Sequence, residues 1–367
     1  MAPKEKYFVA LSQVIRVVVL VIFVTILPGC SRSKPEAQTK VPTDAILLTG
    51  AGSTFASVIF NRWFAAYHES NPKSIVKYAV VGSGEGVRRF IGNNVAAEER
   101  VDFGASDAAM SDAEIERANN HAVMVPITAG CVVLAYNLPG FQGELKLSRR
   151  AYSGIFLGEI KQWNDRLIAQ ANPGVKLPNL TIATVVRQDG SGTTFAFTKN
   201  LDAISDRWRN RFGPGTLVDW PGNTMRAKGN EGVAGLIGNS EGAVGYVGYE
   251  FARKLGLKTA ALENKAGKFV KATDESCRAA LTAAEMPENL RAFVPDPKGA
   301  DSYPIATFSW ILLRKKYAPE TANALRELFQ WCLQDGQLYA PDLGYIQLPA
   351  SVAEKAAAAL NKIETSS

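Results

Sequence analysis

The feature that most constrains the fold is a regular alternation of short apolar runs with amphipathic segments. Runs at residues 45–48, 75–81 and 101–105 are each followed by a segment whose apolar residues have helical spacing. Strands that alternate with helices are typical of α/β architecture, in which helices connect parallel strands. The sequence therefore predicts an α/β fold with mainly parallel sheets, and 367 residues are enough for two domains.

The element boundaries follow from the same pattern. Helices are predicted at residues 54–69, 86–93 and 112–119, and Ser111 with Glu114 forms a capping box for the third of these. Further predicted elements are strands at 123–127, 132–137 and 303–313 and a helix at 319–334.

Three turns that join a strand to a helix share one design. They lie within residues 48–55, 81–87 and 185–195, and each combines glycine with serine or threonine. A helix N-terminus carries unpaired N–H groups and a partial positive charge, so it attracts anions. Ordinary capping explains any one of these turns equally well. Three of them in one chain, at the strand ends where α/β proteins bind ligands, favour an anion-binding site.

The third turn carries the strongest signal. Its strand ends at Arg187, whose planar cation suits tetrahedral oxyanions, and the turn continues through Ser191, Gly192 and Thr193. Asp189 lies between them and is predicted either to orient the Arg187 guanidinium from behind or to form an Asx turn. Both roles are compatible.

A carboxylate at the end of another strand refines the prediction. Asp107 follows the apolar run 101–105, and an aspartate in an anion site is useful only if the ligand carries a proton. Phosphate near neutral pH has an O–H that a carboxylate can accept, whereas sulfate has none. The alternative is that Asp107 caps a helix or pairs with a surface cation.

Other chemistries find little support. No turn has the sequence of a nucleotide-binding loop, and the Gly-x-Ser-x-Gly match at residues 238–242 precedes a strand rather than a helix. The two histidines, His68 and His121, lie in polar helical contexts, so a zinc site or a Ser-His-Asp triad is hard to build. We predict no catalytic residue, metal or cofactor.

Charge and cysteine content constrain the partners. The net charge is +6 without a long Lys/Arg run interleaved with aromatics, which argues against nucleic-acid binding. If Cys30 carries lipid, the remaining cysteines are Cys131, Cys277 and Cys332, which permit at most one intrachain disulfide. Cys131 lies in an apolar run and is predicted to contribute to core packing.

The N-terminus resembles a bacterial lipoprotein signal. Lys4 and Lys6 precede an apolar run that ends before Cys30, so residues 1–29 are predicted to be a signal peptide and Cys30 the lipidated first residue. The alternative is an uncleaved membrane anchor. Residues 30–44 are predicted to be a flexible tether, and the remainder would face the outside of the cytoplasmic membrane as a periplasmic or surface protein.

The turn and strand-end motifs described above together resemble a known family. Residues 49–55, 102–107 and 187–193, with Gly82, Ser83 and Gly86, look like the phosphate-binding protein of the bacterial phosphate-specific ABC importer. The match continues in order through residues 155–158 with Trp163 and Asn164, 228–230, 242–246 and 303–305. Two departures are Ala56 and Glu85, of which Glu85 puts a carboxylate near the mouth of the site that could weaken binding.

The resemblance implies a type II periplasmic-binding-protein fold of two lobes, each a mixed sheet flanked by helices, with two hinge crossings. The expected lobes are residues 45–127 with 300–367, and residues 128–299. The implied phosphate-binding residues are Thr54, Phe55, Ser83, Asp107, Arg187, Ser191, Gly192 and Thr193.

The implied function is that of a solute receptor and not of an enzyme. A monomer would bind inorganic phosphate by hinge closure and deliver it to an importer of two membrane permease subunits and an ATPase dimer. The alternatives are a receptor for sulfate, molybdate or tungstate, a secreted phosphomonoesterase, and a surface lipoprotein that scavenges or senses phosphate, or adheres, without transport.

Overall fold

The computed structural model describes residues 45–119, 121–222, 224–282 and 284–366. The predicted signal peptide, the tether and Cys30 lie outside these residues. The strands are β1 (Ile46–Gly52), β2 (Ser74–Val80), β3 (Phe103–Ser106), β4 (Ala122–Tyr136), β5 (Lys146–Leu147), β6 (Ala183–Arg187), β7 (Met225–Ala227), β8 (Ala243–Gly248), β9 (Lys258–Thr259), β10 (Ala261–Glu263), β11 (Phe269–Val270), β12 (Ala306–Arg314), β13 (Lys316–Tyr317) and β14 (Glu364–Thr365).

The helices flank these strands. They are α1 (Ser57–Ser70), α2 (Ser83–Ile91), α3 (Asp112–Arg117), α4 (Arg149–Phe156), α5 (Arg166–Ala171), α6 (Gly192–Ile204), α7 (Asp206–Arg211), α8 (Gly229–Asn239), α9 (Tyr249–Lys254), α10 (Asp274–Thr282), α11 (Pro319–Leu333) and α12 (Ala350–Leu360). Short 3-10 turns cover Ala97–Glu99, Asp335–Tyr339 and Pro341–Leu343. None of the helices in the described part of the chain is long and apolar enough to cross a bilayer.

The main sheet has two parallel halves joined by antiparallel strands. Its order is β2-β1-β3-β12-β4-β8-β6-β7, with β9 also paired to β4. Pairing is parallel among β1, β2 and β3 and among β6, β7 and β8, whereas β12 and β4 are antiparallel to their neighbours. The predicted α/β fold with mixed sheets is confirmed, but the sheet is less uniformly parallel than the alternation suggested.

Strand β4 links the two halves. Its residues 122–131 pair with β12, and its residues 132–136 pair with β8. The sequence analysis predicted two separate strands here, at residues 123–127 and 132–137, and Pro126 lies within the first of them. A bulge opposite Ser309 and Trp310 accommodates the proline, so one strand of 15 residues runs through. A single continuous strand therefore carries the chain from one half of the sheet to the other.

Parallel pairing brings the predicted turns together at the strand ends. Strands β1 and β3 end at Gly52 and Ser106 in one half, and β6 ends at Arg187 in the other. The turn after β1 is longer than predicted, because α1 begins at Ser57 and not at Thr54. The capping box of α3 is confirmed: Ser111 Oγ accepts from Glu114 N–H, and the Glu114 carboxylate accepts from Ser111 N–H at 2.8 Å.

A disulfide fastens the linking strand. Cys131 is buried in β4 at the point where its partner changes from β12 to β8, and it is bonded to Cys277 of α10, with Cα atoms 5.9 Å apart. Cys332 is a buried free thiol in α11. The prediction of simple core packing for Cys131 was therefore incomplete, because the residue also cross-links segments 146 positions apart.

One carboxyl in the interior has an unusual environment. Glu250, the second residue of α9, is 2% exposed, and neither of its carboxyl oxygens has a hydrogen-bond partner within the described residues. It occupies the space where a side chain on Gly248 would otherwise lie. Burial raises the pKa of Glu250 well above the ordinary glutamate value, and the charge of Asp107 raises it further.

Removal of the disulfide should destabilise the protein. Replacing both Cys131 and Cys277 by serine should cost about 2–5 kcal/mol, because the unfolded chain regains the freedom of a long loop. Thermal unfolding with and without dithiothreitol measures this. Reductant should lower the midpoint of the wild type and of the matched Cys332→Ala variant but not that of the double variant. A wild-type midpoint that is insensitive to reductant under denaturing conditions would contradict the cross-link.

Glu250 should make stability depend on pH. The raised folded-state pKa means that the neutral carboxyl favours the folded state, so stability is full below the ordinary glutamate pKa and is lost as pH rises toward the raised value. Glu250→Gln should therefore increase stability at pH 8 by on the order of 1 kcal/mol or more, with a smaller gain at pH 4. Chemical denaturation measures this, with exposed Glu354→Gln as the control. A gain that is equal at both pH values would exclude the titration of Glu250 as its source.

Candidate anion-binding site

The turns from the two halves of the sheet meet face to face. Gly84 N–H, in the first turn of α2, donates to Gly190 O in the turn after β6 at 3.0 Å. A Cβ on Gly192 would lie 2.6 Å from Asp107 Cβ, so only glycine allows the start of α6 to approach Asp107 this closely. Gly82 has φ 93° and lies directly against the Asp189 carboxylate. The predicted residues therefore converge on one buried place.

Asp107 is the acceptor at the centre of this place. It follows β3 and is 1% exposed. Its Oδ1 accepts from Ser53 Oγ at 2.5 Å and from Ser309 Oγ at 2.7 Å, which occupies both lone pairs of that oxygen. Its Oδ2 has only a long contact of 3.4 Å from Ser83 Oγ. Oδ2 is thus the oxygen with capacity to accept another proton donor.

The protonation of Asp107 reflects opposing effects. Burial raises its pKa, and the hydroxyls of Ser53, Ser309 and Ser83 and the positive charge of Arg187 lower it, with a net rise to about 6. Without these donors the buried carboxyl would be still harder to ionise. They keep Asp107 largely ionised near neutral pH, which is the form that accepts a proton.

Arg187 supplies the positive charge. It ends β6, is 2% exposed, and its Nε donates to Asp189 Oδ1 at 2.8 Å while its Nη2 donates to Asp189 Oδ2. Gly229 N–H also donates to Asp189 Oδ1, at 3.0 Å. Burial alone would raise the pKa of Asp189, but these hydrogen bonds and the charge of Arg187 hold it below the ordinary value. The predicted orienting role of Asp189 fits this geometry, and three of the five guanidinium N–H groups remain for a ligand.

Hydroxyl groups and a helix N-terminus complete the surroundings. Ser191 is the N-cap of α6 and accepts from Thr194 N–H at 3.1 Å, and Thr193 in the same turn is fully buried. Thr54 lies in the opposing turn. Phe55 is fully buried beside it, and its carbonyl accepts from Tyr345 Oη. Ser83 begins α2, and its Oγ accepts from Asp107 N–H at 3.2 Å.

Sequence reasoning missed four residues that support this arrangement. Ser53 lay within a predicted turn and could have been considered, whereas Ser309 in β12 carries no local signal. Tyr246 lies in β8. Its Oη accepts from the backbone N–H of Arg187 at 3.1 Å and contacts Thr194 Oγ1 at 2.8 Å. Asn230 lay within the matched segment 228–230 but had no assigned role, although it contacts both Thr54 and Thr193.

Two open cavities flank the place where the turns meet. One, of about 540 Å³, is lined by residues that include Thr54, Asp189, Lys228 and Glu85. Glu85 is paired with Arg88 and Arg89 at 2.7 Å each, and the Arg88 hydrogen bond is the main cause that lowers its pKa to about 2. The carboxylate at the mouth is therefore locally compensated by two cations.

The second cavity has a volume of about 500 Å³. Its lining includes Ser83, Phe195, Arg291 and Phe293. Arg291 pairs with Asp112 at 2.6 Å beside it.

The remaining motifs lie away from this place. His68 and His121 are exposed, and the Gly-x-Ser-x-Gly match spans the end of α8 and the turn before β8. Among the residues that the structure describes, no cluster of three or more histidine, cysteine or acidic side chains could hold a metal ion.

Comparison with known proteins identifies the family. A model of a PBP superfamily domain matches residues 33–335. The phosphate-binding protein PstS of Pasteurella multocida (strain Pm70) is 38% identical over 317 residues, which cover 85% of this chain and 89% of that protein. The phosphate-binding protein PstS of Haemophilus influenzae (strain Rd) is 38% identical over 310 residues, which cover 83% and 90%.

A solved structure agrees with the fold. The high-affinity periplasmic phosphate-binding protein PfluDING, solved with phosphate bound, superposes with a TM-score of 0.72 at 20% identity and covers 85% of this chain and 93% of its own. This likeness confirms the predicted two-lobed fold. With the family model and the two relatives, it follows that the chain belongs to the PBP superfamily and, within it, to the family of the phosphate-binding protein PstS.

Proposed function

We propose that this protein binds inorganic phosphate between the two halves of its sheet and delivers it to an ABC-type importer. The observation that carries the proposal is the pairing of one buried proton acceptor with many donors. Asp107 Oδ2 retains acceptor capacity in a place otherwise surrounded by Arg187, hydroxyls and a helix N-terminus. A tetrahedral anion that still carries a proton satisfies both kinds of group.

The proposed contacts follow from the chemistry of each group. Arg187 and the first turn of α6, with Ser191, Gly192 and Thr193, would bind the unprotonated oxygens from one half of the sheet. Thr54, the backbone of Phe55 and Ser83 would bind from the other half. Asp107 would accept the ligand O–H, and Asp189 would hold Arg187 in position. Charge-assisted bonds of about 1.5–3 kcal/mol each are enough in number to offset dehydration of the anion.

Delivery would depend on opening and closing about the linking segments. We infer lobes of residues 45–127 with 300–367 and of 128–299. The change of partner of β4 between Cys131 and Val132, close to the first boundary, supports a crossing in this part of the strand. The hinge would be this strand and the segment leading into β12, whose Ile305 O accepts from Val132 N–H at 3.0 Å. A monomer in this role would dock on two permease subunits driven by an ATPase dimer, and would act as a receptor without catalysing a reaction.

Location follows the same proposal. Residues 1–29 would direct export, and Cys30 would anchor the protein in a membrane by lipid, so that the receptor works in the periplasm or at the cell surface.

Phosphate binding is directly measurable. Isothermal titration of the mature chain, stripped of bound phosphate, should give a 1:1 dissociation constant of about 1 μM or below, because several charge-assisted bonds act together. Arg187→Lys should bind at least about tenfold more weakly, since an ammonium cannot bond to both Asp189 and the ligand with the same fork. The absence of heat with micromolar phosphate would contradict the proposal.

Asp107 should determine the choice between phosphate and sulfate. In the wild type, sulfate should fail to compete, because its oxygen would face the Asp107 carboxylate without a proton between them. Asp107→Asn supplies an amide that can donate, so sulfate should bind at least about tenfold more tightly than to the wild type. Competition titrations measure this, with Asp112→Asn as an exposed control. Unchanged selectivity in Asp107→Asn would remove the proposed role of Asp107.

A further inference from the structure

The Asn230 side chain lies between the hydroxyls from the two opposing turns. Asn230 is the second residue of α8 and is fully buried. Its Nδ2 donates to Thr54 Oγ1 at 3.0 Å and to Thr193 Oγ1 at 3.1 Å. One amide group therefore contacts a residue from each side of the place where the anion is proposed to bind.

The orientation of this amide is determined by a third partner. Asn230 Oδ1 accepts from Gly248 N–H at 3.0 Å, at the end of β8. A backbone N–H can only donate, so the amide oxygen must face Gly248 and the amide nitrogen must face the two threonines. Both Nδ2 hydrogens are then used by the threonine hydroxyls.

This orientation restricts what the Thr54 hydroxyl can do. Thr54 Oγ1 accepts two hydrogen bonds from Asn230, one from the backbone N–H at 3.1 Å and one from the side-chain Nδ2 at 3.0 Å. A hydroxyl has two lone pairs and one hydrogen, so both acceptor positions of Thr54 are occupied. Its hydrogen is left to donate elsewhere. Thr193 Oγ1 accepts once from Nδ2, which likewise leaves its O–H free.

From this geometry we propose that Asn230 is a positioning residue that makes the hydroxyls of Thr54 and Thr193 donors to the bound anion. The inference rests on the proposed phosphate-binding function and deepens it. While Asn230 holds it, Thr54 cannot accept a ligand proton and can only donate to the phosphate oxygen that it contacts. Thr54 is thereby removed as a competing acceptor for a ligand O–H, which favours Asp107, whose Oδ2 retains acceptor capacity.

Two double-mutant cycles test this role. The first combines Asn230→Ala with Thr54→Val, and the second combines Asn230→Ala with Thr193→Val. Phosphate affinity is measured by titration calorimetry for each single and double variant. Each single change should weaken binding about tenfold or more, because a hydroxyl bond to a charged ligand is lost or misdirected. Each double variant should lie within about threefold of its weaker single variant, because both changes remove the same effect.

The cycles separate positioning from two other roles. If Asn230 only held the two halves together, coupling would occur with Thr54, which is in the opposing half, but not with Thr193. If Asn230 only supported the fold, the fold-losses in phosphate affinity of the two single variants would multiply in the double variant of each cycle. Either pattern would overturn the proposal. Thr54→Ser and Thr193→Ser should stay within about threefold of the wild type, and Asn239→Ala, an exposed change on the same helix, should leave affinity unchanged.

The test still discriminates if Asn230→Ala does not fold or if the wild type does not bind phosphate. If ligand-free Asn230→Ala does not show a cooperative thermal transition, Thr54→Val is compared with Thr54→Ser in the presence of Asn230. Equal affinity of the valine and serine variants would then overturn the donor role of Thr54. A wild-type protein that does not bind phosphate would refute the proposed function itself, whereas binding with multiplicative losses would refute only the role of Asn230.

Discussion

The candidate site is arranged around one buried carboxylate, that of Asp107, which is kept ionised and has strong hydrogen bonds to only one of its two oxygens. Burial disfavours the charge on Asp107, whereas the hydroxyls of Ser53 and Ser309 and the charge of Arg187 stabilise the ionised form. Because both hydroxyls bond to Oδ1, the acceptor capacity concentrates on Oδ2. The remaining groups around it are donors, and on this asymmetry rests our proposal that the site prefers a protonated oxyanion to an unprotonated one.

The fold serves this interaction by bringing distant segments to one place. Parallel pairing directs the ends of β1 and β3 to the same edge of one half, and β6 ends with Arg187 in the other half. Glycines at the meeting turns allow backbone and side chains to approach closely across the gap. The linking strand β4 joins the two halves, and a disulfide fastens this strand to α10.

Local patterns predicted much of the site because its chemistry lies in strand-turn-helix segments. Arg187, Asp189 and the Gly/Ser/Thr turn are contiguous, so their grouping in one site could be predicted from residue type and order. Ser309 and Asn230 could not be found in this way, because their partners Asp107 and Thr54 are 202 and 176 positions away. Similarly, α1 begins at Ser57 and not at Thr54, whose side chain contacts the distant Asn230, and the continuity of β4 depends on a bulge in its pairing with β12.

The decisive observation is the position of one hydrogen between phosphate and Asp107. Neutron diffraction from crystals of the phosphate-bound protein in D₂O, near neutral pH, would locate it. We predict that the phosphate oxygen next to Asp107 Oδ2 carries a deuteron that points at the carboxylate, within ordinary hydrogen-bond distance. A deuteron found on Asp107 and directed at an unprotonated phosphate oxygen, or a phosphate with no contact to Oδ2, would contradict it.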